Sequence, residues 1–334
     1  MKWNSQLYKT KQSMRRIDNM NKQTEQIIFL EPVMKEVLWG GTRLRDDFHY
    51  DIPSDHTGEC WAVSAHDHGD CEVATGAFKG QTLSTLWNNH RELFGNLEGD
   101  RFPLLIKIID AKQDLSIQVH PDDEYAKLNE NGSFGKTECW YILDCDEDAT
   151  IVVGHNAKNK EEVKQMILEG RWNEFIRTIS IKKGDFFQIN PGTVHAIKGG
   201  TLILETQQNS DITYRVYDYD RLTDGKPREL HIEKSIDVIE APFEAESASS
   251  KRELIKGDSL DNETLVSCSY YTVEKQDVHG TAKLNQDKNF KIYSVIDGEG
   301  LIDGVEIKKG AHFILPYGYG EYCLEGNMSL ICSY

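Results

Sequence analysis

The chain has 334 residues, of which 39% are hydrophobic, and its 55 acidic and 38 basic side chains give a net charge of −17 at pH 7. The hydrophobic content excludes a wholly disordered chain, and the acidic balance argues against a general partner of nucleic acids or anionic membranes. No apolar run approaches the about 18–20 residues of a membrane-spanning helix, and a chain of this length is expected to form about two domains.

The N-terminal segment differs in composition from the rest of the chain. Residues 1–24 contain six Lys or Arg and a single acid, and the apolar stretch of a secretory signal does not follow them. We interpret residues 1–19 as an extension outside the fold. The seven cysteines are scattered and include no C-x-x-C pair, which indicates reduced thiols and a cytoplasmic protein.

Short β-rich runs bounded by Gly, Pro, Asn and Asp recur along the chain. The runs are residues 104–109, 115–119, 139–143, 150–153, 185–189, 201–205, 290–296 and 312–315. Many short strands separated by turn residues are typical of a sandwich or a barrel. Helical spacing is confined to residues 82–94 and to an insertion at 159–180, in which Gly170 separates two short predicted helices. The apolar stripe of the second helix is predicted over residues 175–179.

An internal echo indicates two related bodies. Residues 184–195 and 310–321 each contain a glycine turn, an apolar strand, a Pro-containing turn, a second glycine and a polar residue three positions later. That polar residue is His195 in the first copy and Glu321 in the second. The pattern resembles the second motif of cupin barrels, where the strand after the turn directs a histidine into the barrel. The alternative is a chance similarity between two hairpins.

The polar stretch 244–262 is interpreted as the connection between the two bodies. We therefore predict a catalytic domain over residues 20–243, which includes the helical insertion. The remaining residues, 244–334, are predicted to form a C-terminal β domain without a metal.

Three polar residues are predicted to share one face of a strand. Alternation places Ser116, Gln118 and His120 on one side and apolar residues on the other. Polar groups are costly to bury unless a partner satisfies them. A metal with a bound ligand would do so, and so would open solvent.

A second strand offers a carboxylate beside a lysine. Alternation aligns Lys136, Glu138 and Trp140, and His195 follows a Pro-Gly turn further along the chain. The Gln, His and Glu side chains are nitrogen and oxygen ligands suited to Zn²⁺ or another first-row ion. Each residue alone is more typical of a core or surface position, but together they predict a metal site.

The segment 205–221 is rich in Asp, Tyr and Arg. Such a segment is often a solvated connection. Its two arginines, Arg215 and Arg221, nevertheless suit recognition of phosphate and hydroxyl groups, because the guanidinium binds oxyanions with a fixed fork.

Six segments, in order along the chain, together resemble the short bacterial class of type I mannose-6-phosphate isomerase. They are WGG at 39–41, GECW at 58–61, SIQVHPDDEYA at 116–126, GKTECWYIL at 135–143, PGTVHAI at 191–197 and SDITYRVYDYDR at 210–221. The resemblance covers most of the chain. It implies a mostly β fold of two cupin-type jelly-roll (double-stranded β-helix) barrels with a small helical insertion.

The resemblance also implies the ligands of the site. It makes His120, Glu138 and His195 the ligands of one Zn²⁺ per chain, with Gln118 as a candidate fourth ligand. Arg215 matches the arginine regarded as catalytic.

Further residues of the resemblance concern the substrate. Ser116, Lys136 and Arg221 fall where the family binds the substrate phosphate. Asp211 and Lys136 are both candidates for the base that moves a carbon-bound proton, and Asp211 alternatively orients Arg215.

The implied activity is that of a zinc-dependent aldose–ketose isomerase. It would interconvert D-mannose 6-phosphate and D-fructose 6-phosphate through an enediol, with a small sugar phosphate as its only predicted partner and the oligomeric state left open. Two alternatives remain: a metal cupin of another activity, such as an Fe(II) dioxygenase, and a non-catalytic sugar-phosphate-binding protein. The predicted cations for a phosphate argue against the first, and the complete set of ligands argues against the second.

Overall fold

The computed structural model describes residues 27–223, 225–245 and 252–334. The predicted N-terminal extension, residues 1–19, lies outside these ranges. Within them, no helix is both long and apolar enough to cross a membrane.

Strands dominate the described residues. They are β1 (Ile28–Glu31), β2 (Val33–Gly41), β3 (Thr57–Val63), β4 (Ala65–His66), β5 (Gly69–Asp70), β6 (Glu72–Val73), β7 (Leu104–Ala111), β8 (Ile117–Val119), β9 (Glu138–Cys145), β10 (Thr150–His155), β11 (Ile176–Ser180), β12 (Phe186–Ile189), β13 (His195–Ile197), β14 (Thr201–Gln208), β15 (Tyr214–Tyr217), β16 (Leu222–Thr223), β17 (Lys226–Pro227), β18 (Glu253–Ile255), β19 (Leu260–Ser267), β20 (Thr272–Gln286), β21 (Phe290–Ile302), β22 (Val305–Lys308), β23 (His312–Pro316) and β24 (Gly320–Ser333). The helices are α1 (Arg43–Asp46), α2 (Leu83–Asn89), α3 (Asp123–Asn129), α4 (Lys160–Leu168), α5 (Trp172–Phe175) and α6 (Ile232–Val238), with a 3₁₀ helix at Arg91–Phe94. The prediction of a mostly β fold is confirmed.

Two antiparallel sheets form the first barrel. One has six strands in the order β12-β9-β14-β7-β3-β2, and the other has five in the order β11-β10-β13-β8-β15. Their facing sides share one apolar cluster, to which Trp140 and Ile142 contribute from the first sheet and Ile151 and Val153 from the second. Because side chains alternate along a strand, the residues between these point away from the barrel interior.

The helical insertion covers the outer face of the five-stranded sheet. Val163 and Met166 of α4 belong to the same buried cluster as Ile117 and Val119 of β8. Packing of this kind removes apolar surface from water and stabilises the barrel wall. The insertion is therefore a packing element of that wall.

The prediction that the second helix of the insertion extends over residues 175–179 is wrong. The helix ends at Phe175, and β11 begins at Ile176. Ile179 pairs with Ile151 of β10 in an antiparallel ladder. The β-branched side chains of Ile176, Thr178 and Ile179 favour an extended backbone, and an available sheet edge decides the outcome.

The C-terminal sheet includes strands from the N-terminal end of the described chain. Its order is β18-β19-β20-β24-β21-β23-β1-β6, with β22 paired to β21. Phe29 of β1 lies opposite Phe313 of β23. Sheet membership thus assigns β1 and β6 to the C-terminal body, although they lie within the residues predicted for the first domain. The predicted connection, 244–262, contains β18 and the start of β19, and its residues 246–251 lie outside the described part.

A continuous apolar core joins the two bodies. Ile106 and Leu204, on the outer face of the six-stranded sheet, share a cluster with Ile292 and Ile331 of the C-terminal sheet. A buried histidine adds a polar link, because the ring nitrogens of His312 lie 2.9 Å from Ser294 Oγ and 2.7 Å from Tyr50 Oη.

The burial of His312 makes the free energy of unfolding depend on pH. Burial lowers the pKa of His312 to about 3, whereas the unfolded residue titrates near about 6.5. Below that pH the unfolded chain takes up a proton that the folded chain does not, so His312 contributes a loss of about 1.4 kcal/mol of unfolding free energy per pH unit as the pH falls. We expect His312→Gln to flatten the slope that urea unfolding shows between about pH 6.5 and about pH 4.5. Equal slopes for the two proteins would contradict this assignment.

Candidate metal and substrate site

Three residues that are distant in the sequence meet inside the first barrel. His120 follows β8, Glu138 begins β9 and His195 begins β13. The two Nε2 atoms are 3.1 Å apart, and each lies 3.4 Å from an oxygen of Glu138. All three side chains are buried. The structure thus brings together the three ligands predicted from the sequence.

The chemistry of this cluster fits a cation. His195 Nδ1 lies 2.8 Å from the carbonyl oxygen of Thr193 and donates its proton there, which leaves the Nε2 lone pair facing the cluster. Neither Glu138 oxygen makes a hydrogen bond of regular geometry, although Lys136 Nζ forms an ion pair with Oε2 at 2.9 Å. Ligands at about 2.0–2.1 Å from a tetrahedral zinc ion are about 3.3–3.4 Å from one another, close to the separations seen here.

The electrostatics hold the three side chains in the protonation states that can bind a metal ion. Burial, together with the charge of Lys136, lowers the pKa of His120 to about 3. Burial also lowers the pKa of His195, so both imidazoles are neutral near pH 7. For Glu138, burial opposes ionisation, but Lys136 and the two imidazoles outweigh it, and the pKa lies well below its usual range.

A cavity of about 170 Å³ adjoins the cluster. Its lining comprises Val37, Trp39, Glu59, Lys107, Ile109, Leu115, Ser116, Gln118, Lys136, Ile197, Glu205, Thr213, Arg215 and Arg228. Gln118 and Lys136 connect the cavity to the cluster: the Gln118 amide lies 3.2 Å from His195 Nε2, and Lys136 Nζ lies 2.9 Å from Glu138 Oε2. The alternation predicted for both strands is confirmed, since Ile117 and Val119 pack on the opposite side of β8 and Cys139 and Tyr141 on the opposite side of β9.

Three charged side chains that form ion pairs with one another also line the cavity. Lys107 Nζ lies 3.7 Å from Glu59 and 3.4 Å from Glu205, and Trp140 Nε1 donates to Glu205 at 3.0 Å. Burial and the charge of Glu138 raise the pKa of Glu205. The cavity therefore contains a buried carboxyl group whose pKa is raised above its ordinary value.

Two guanidinium groups lie together at the cavity. The Arg215 side chain is half-buried: its Nη1 donates to the carbonyl oxygen of Glu229 at 2.8 Å, and its Nε has no hydrogen-bond partner. Burial and the neighbouring charge of Arg228 lower the pKa of Arg215. Two adjacent cations with an unused donor provide a place for an anion, even in a chain of net charge −17.

Two residues predicted for the site lie elsewhere. The Arg221 guanidinium binds Asp218 and the backbone oxygen of Asp114, and it does not line the cavity. Asp211 also lies outside the lining, and its carboxylate is held by two imidazoles, His66 at 3.5 Å and His68 at 2.5 Å.

These imidazoles determine the state of Asp211. The hydrogen bond from His66 is the largest cause that lowers the pKa of Asp211, so the carboxylate is ionised near pH 7. The His66, His68 and Asp211 atoms are close enough for a shared metal ion. However, His66 Nδ1 accepts the backbone N–H of His68 at 3.1 Å, which leaves the His66 proton on Nε2, facing Asp211. Hydrogen bonds therefore account for this cluster.

Four charged residues of the cavity were not predicted from the sequence: Glu59, Lys107, Glu205 and Arg228. Lys107 is the lysine within the apolar strand β7, and Glu205 lies directly opposite it on β14. A charged residue inside an otherwise apolar strand was the available signal, because such a residue needs a partner. Arg228 follows the β16–β17 hairpin, and no local pattern distinguishes it.

A barrel of two facing sheets with two histidines and a glutamate beside a polar cavity defines a cupin. The type I phosphomannose isomerase catalytic domain matches residues 27–148, and the mannose-6-phosphate isomerase cupin domain matches residues 261–334. The chain belongs to the type I phosphomannose isomerase family, a family of aldose–ketose isomerases.

Individual relatives agree with this assignment over nearly their whole length. The chain is 55% identical to mannose-6-phosphate isomerase ManA of Bacillus subtilis over 316 residues, which are 93% of this chain and 99% of that protein. It is 47% identical to the mannose-6-phosphate isomerase of Streptococcus mutans over 92% of this chain and 98% of that protein. The crystal structure of a Bacillus subtilis mannose 6-phosphate isomerase superposes with a TM-score of 0.90 at 50% identity, covering 92% of this chain and 99% of that one.

Proposed function

We propose that this chain interconverts D-mannose 6-phosphate and D-fructose 6-phosphate through an enediol, with one Zn²⁺ bound at His120, Glu138 and His195. The observation that carries the proposal is the meeting of these three side chains beside a cavity lined by four cations, Lys107, Lys136, Arg215 and Arg228. A cation to polarise a carbonyl and further cations for a phosphate are what this isomerisation needs.

The donor set favours zinc or a similar first-row ion. Two neutral imidazoles and one carboxylate leave a bound divalent ion with a net charge of about +1 and open positions. Such an ion supplies Lewis-acid polarisation of the sugar carbonyl. Gln118 is the candidate fourth ligand, since its amide lies 3.2 Å from His195 Nε2 and an exchange of the amide oxygen and nitrogen is compatible with the same shape.

The substrate phosphate is assigned to the part of the cavity lined by Ser116, Lys136 and Arg228. Ser116 and Lys136 keep the roles that the resemblance implies, because both line the cavity. Arg228 is proposed in place of Arg221, because Arg228 lines the cavity and Arg221 does not. Nε and Nη2 of Arg228 bind Asp218, so the Nη1 group and the positive charge of Arg228 are what it offers to a phosphate dianion.

The carbon base is assigned to Glu205. A base must lie within hydrogen-bond reach of the proton it moves, and an ideal pKa lies near the working pH. Glu205 lines the cavity and its pKa is raised, whereas Asp211 is outside the lining and its pKa is lowered. Lys136 remains the second candidate, because it lies between the cavity and the metal ligands.

Arg215 is proposed to stabilise the negative charge that develops on the enediolate oxygens. Its fixed backbone contacts and unused Nε provide a preorganised donor. We expect Arg215→Met to lower kcat by about 10²–10³-fold, measured in a coupled assay on mannose 6-phosphate. The matched control is Arg177→Met, a half-buried arginine bound to the backbone oxygen of Val153 at 3.0 Å, which should keep full activity. An unchanged kcat for Arg215→Met would remove this role.

The overall proposal is tested by metal removal and elemental analysis. The purified protein is expected to contain one zinc per chain, to lose activity on mannose 6-phosphate when a chelator removes it, and to recover on zinc addition. Full activity in a metal-free sample would remove the zinc role. A content of iron with oxygen-dependent turnover would instead support the dioxygenase alternative, and bound sugar phosphate without turnover would support the binding protein.

Domain division and compartment complete the proposal. We assign the catalytic unit to residues within 20–243 other than β1 and β6, and the C-terminal β domain to residues within 244–334 together with those two strands.

All seven cysteines are free thiols, which supports a reducing compartment such as the cytoplasm.

A further inference from the structure

Asp218 is a buried carboxylate between two arginines. It lies just beyond β15, is 4% exposed, and accepts hydrogen bonds from both guanidinium groups. Arg228 binds it with two nitrogens, Nε at 2.7 Å and Nη2 at 2.5 Å, and Arg221 binds it with Nη2 at 2.5 Å. A bidentate pair of this kind fixes the direction of a guanidinium as well as its place.

The segment that carries Arg228 is attached to β15 at a second point. The Arg215 backbone N–H donates to His231 Nδ1 at 3.2 Å, and the His231 backbone N–H donates to the Arg215 carbonyl oxygen at 2.8 Å. Glu229 accepts from the Arg215 side chain. These hydrogen bonds hold the backbone of the segment against β15. Asp218 adds the contact that holds the Arg228 side chain.

The two cavity arginines need such an anchor because they repel each other. Both arginines line the same cavity, and the charge of Arg228, after burial, lowers the pKa of Arg215. Without the Asp218 carboxylate, the part-exposed Arg228 side chain would turn towards solvent and away from a like charge. Asp218, which does not line the cavity, opposes that movement by binding two nitrogens of Arg228.

We propose that Asp218 is a positioning residue that holds Arg228 at the cavity, so that the substrate phosphate meets the Arg228 guanidinium in a fixed arrangement. This inference rests on the proposed function, in which Arg228 binds the phosphate. Asp218 itself touches neither the phosphate nor the reacting carbons. Its removal should therefore weaken substrate binding more than the chemical step.

The test is a double-mutant cycle. Asp218→Asn keeps the shape and removes the charge, and it is expected to raise KM for mannose 6-phosphate about ten- to a hundredfold, with a smaller change in kcat. Inhibition by inorganic phosphate should weaken in parallel. In an Arg228→Ala background the same substitution should add little further change in KM, because its effect passes through Arg228.

The outcomes distinguish the phosphate role of Arg228 from the positioning role of Asp218. If Arg228→Ala leaves KM unchanged, the phosphate role of Arg228 fails and the inference falls with it. If Arg228→Ala raises KM but Asp218→Asn does not, or if the two effects on KM are additive, only the positioning role is overturned.

Two further variants complete the design. Arg228→Lys keeps a charge on a part-exposed side chain but lacks the fork that Asp218 holds. It is expected to raise KM even if Asp218→Asn does not fold, and a KM equal to that of the unmodified protein would overturn the proposal. Asp144→Asn, which removes another carboxylate paired with an arginine, Arg43, outside the cavity, is the matched control and should leave KM unchanged.

Discussion

Replacement of His195 with glutamine is expected to remove the metal and with it almost all isomerase activity. The imidazole is buried, its Nδ1 proton is committed to Thr193, and its Nε2 lone pair faces His120 and Glu138. Glutamine cannot present a nitrogen lone pair in that place. Because Lewis-acid stabilisation is worth several kcal/mol, we expect kcat to fall by at least about 10³-fold.

The measurement is zinc content per chain together with the coupled assay on mannose 6-phosphate. The matched control is His155→Gln, since His155 lies on the neighbouring strand β10, is also buried, and binds the backbone oxygen of Glu240 at 2.8 Å. This control should keep one zinc and most of the activity. If His195→Gln retains stoichiometric zinc and normal turnover, the proposed metal site is incorrect.

The face of each site strand could be predicted because it depends on local alternation. A period of two residues placed Ser116, Gln118 and His120 together, and it did the same for Lys136 and Glu138. Neither inference needed knowledge of the partner strand. The motifs that resemble the family then joined these strands to His195, and the structure brings His120, Glu138 and His195 into one cluster.

The charged wall of the cavity could not be predicted in the same way. Lys107 and Glu205 are direct partners across β7 and β14, but they are far apart in the sequence, and strand register over such a distance has no local signature. The same limit applies to β1, whose pairing with β23 links the two ends of the described chain. Sequence alternation gives the face of a strand and leaves its neighbour undetermined.

The segment around Asp211 shows a second limit. A loop rich in Asp, Tyr and Arg predicts polar contacts, but each carboxylate can bind several partners. The structure pairs Asp211 with two imidazoles from the β4–β5 hairpin and pairs Asp218 with Arg221 and Arg228. These pairings depend on three-dimensional proximity. The sequence therefore identified the polar segment but did not show which partner each carboxylate binds.

Replacement of Glu205 with glutamine is expected to stop proton transfer while substrate still binds. The amide keeps the size of the side chain and the acceptor for Trp140 Nε1, which donates to Glu205 at 3.0 Å. It cannot take a proton from carbon, and loss of a general base lowers the rate by about 10²–10⁴-fold. We expect a fall of this size in kcat, little change in KM, and loss of deuterium exchange into substrate in D₂O, followed by NMR.

The pH profile provides an independent measurement of the same group. The base must be ionised to act, so the kcat/KM of the unmodified protein should fall as the pH drops through the pKa of Glu205. Because burial and the charge of Glu138 raise that pKa, the acid limb should lie above the about 4.3 of an ordinary glutamate. The residual activity of Glu205→Gln should lack this limb.

A matched control separates this role from the effect of losing any buried carboxyl group. Asp110 is also buried on the neighbouring strand β7, and burial raises its pKa, but it accepts the backbone N–H of Arg43 and does not line the cavity. Asp110→Asn should therefore exchange deuterium at the normal rate. If Glu205→Gln also exchanges normally, the base is not Glu205, and Lys136 becomes the group of the cavity that moves the proton.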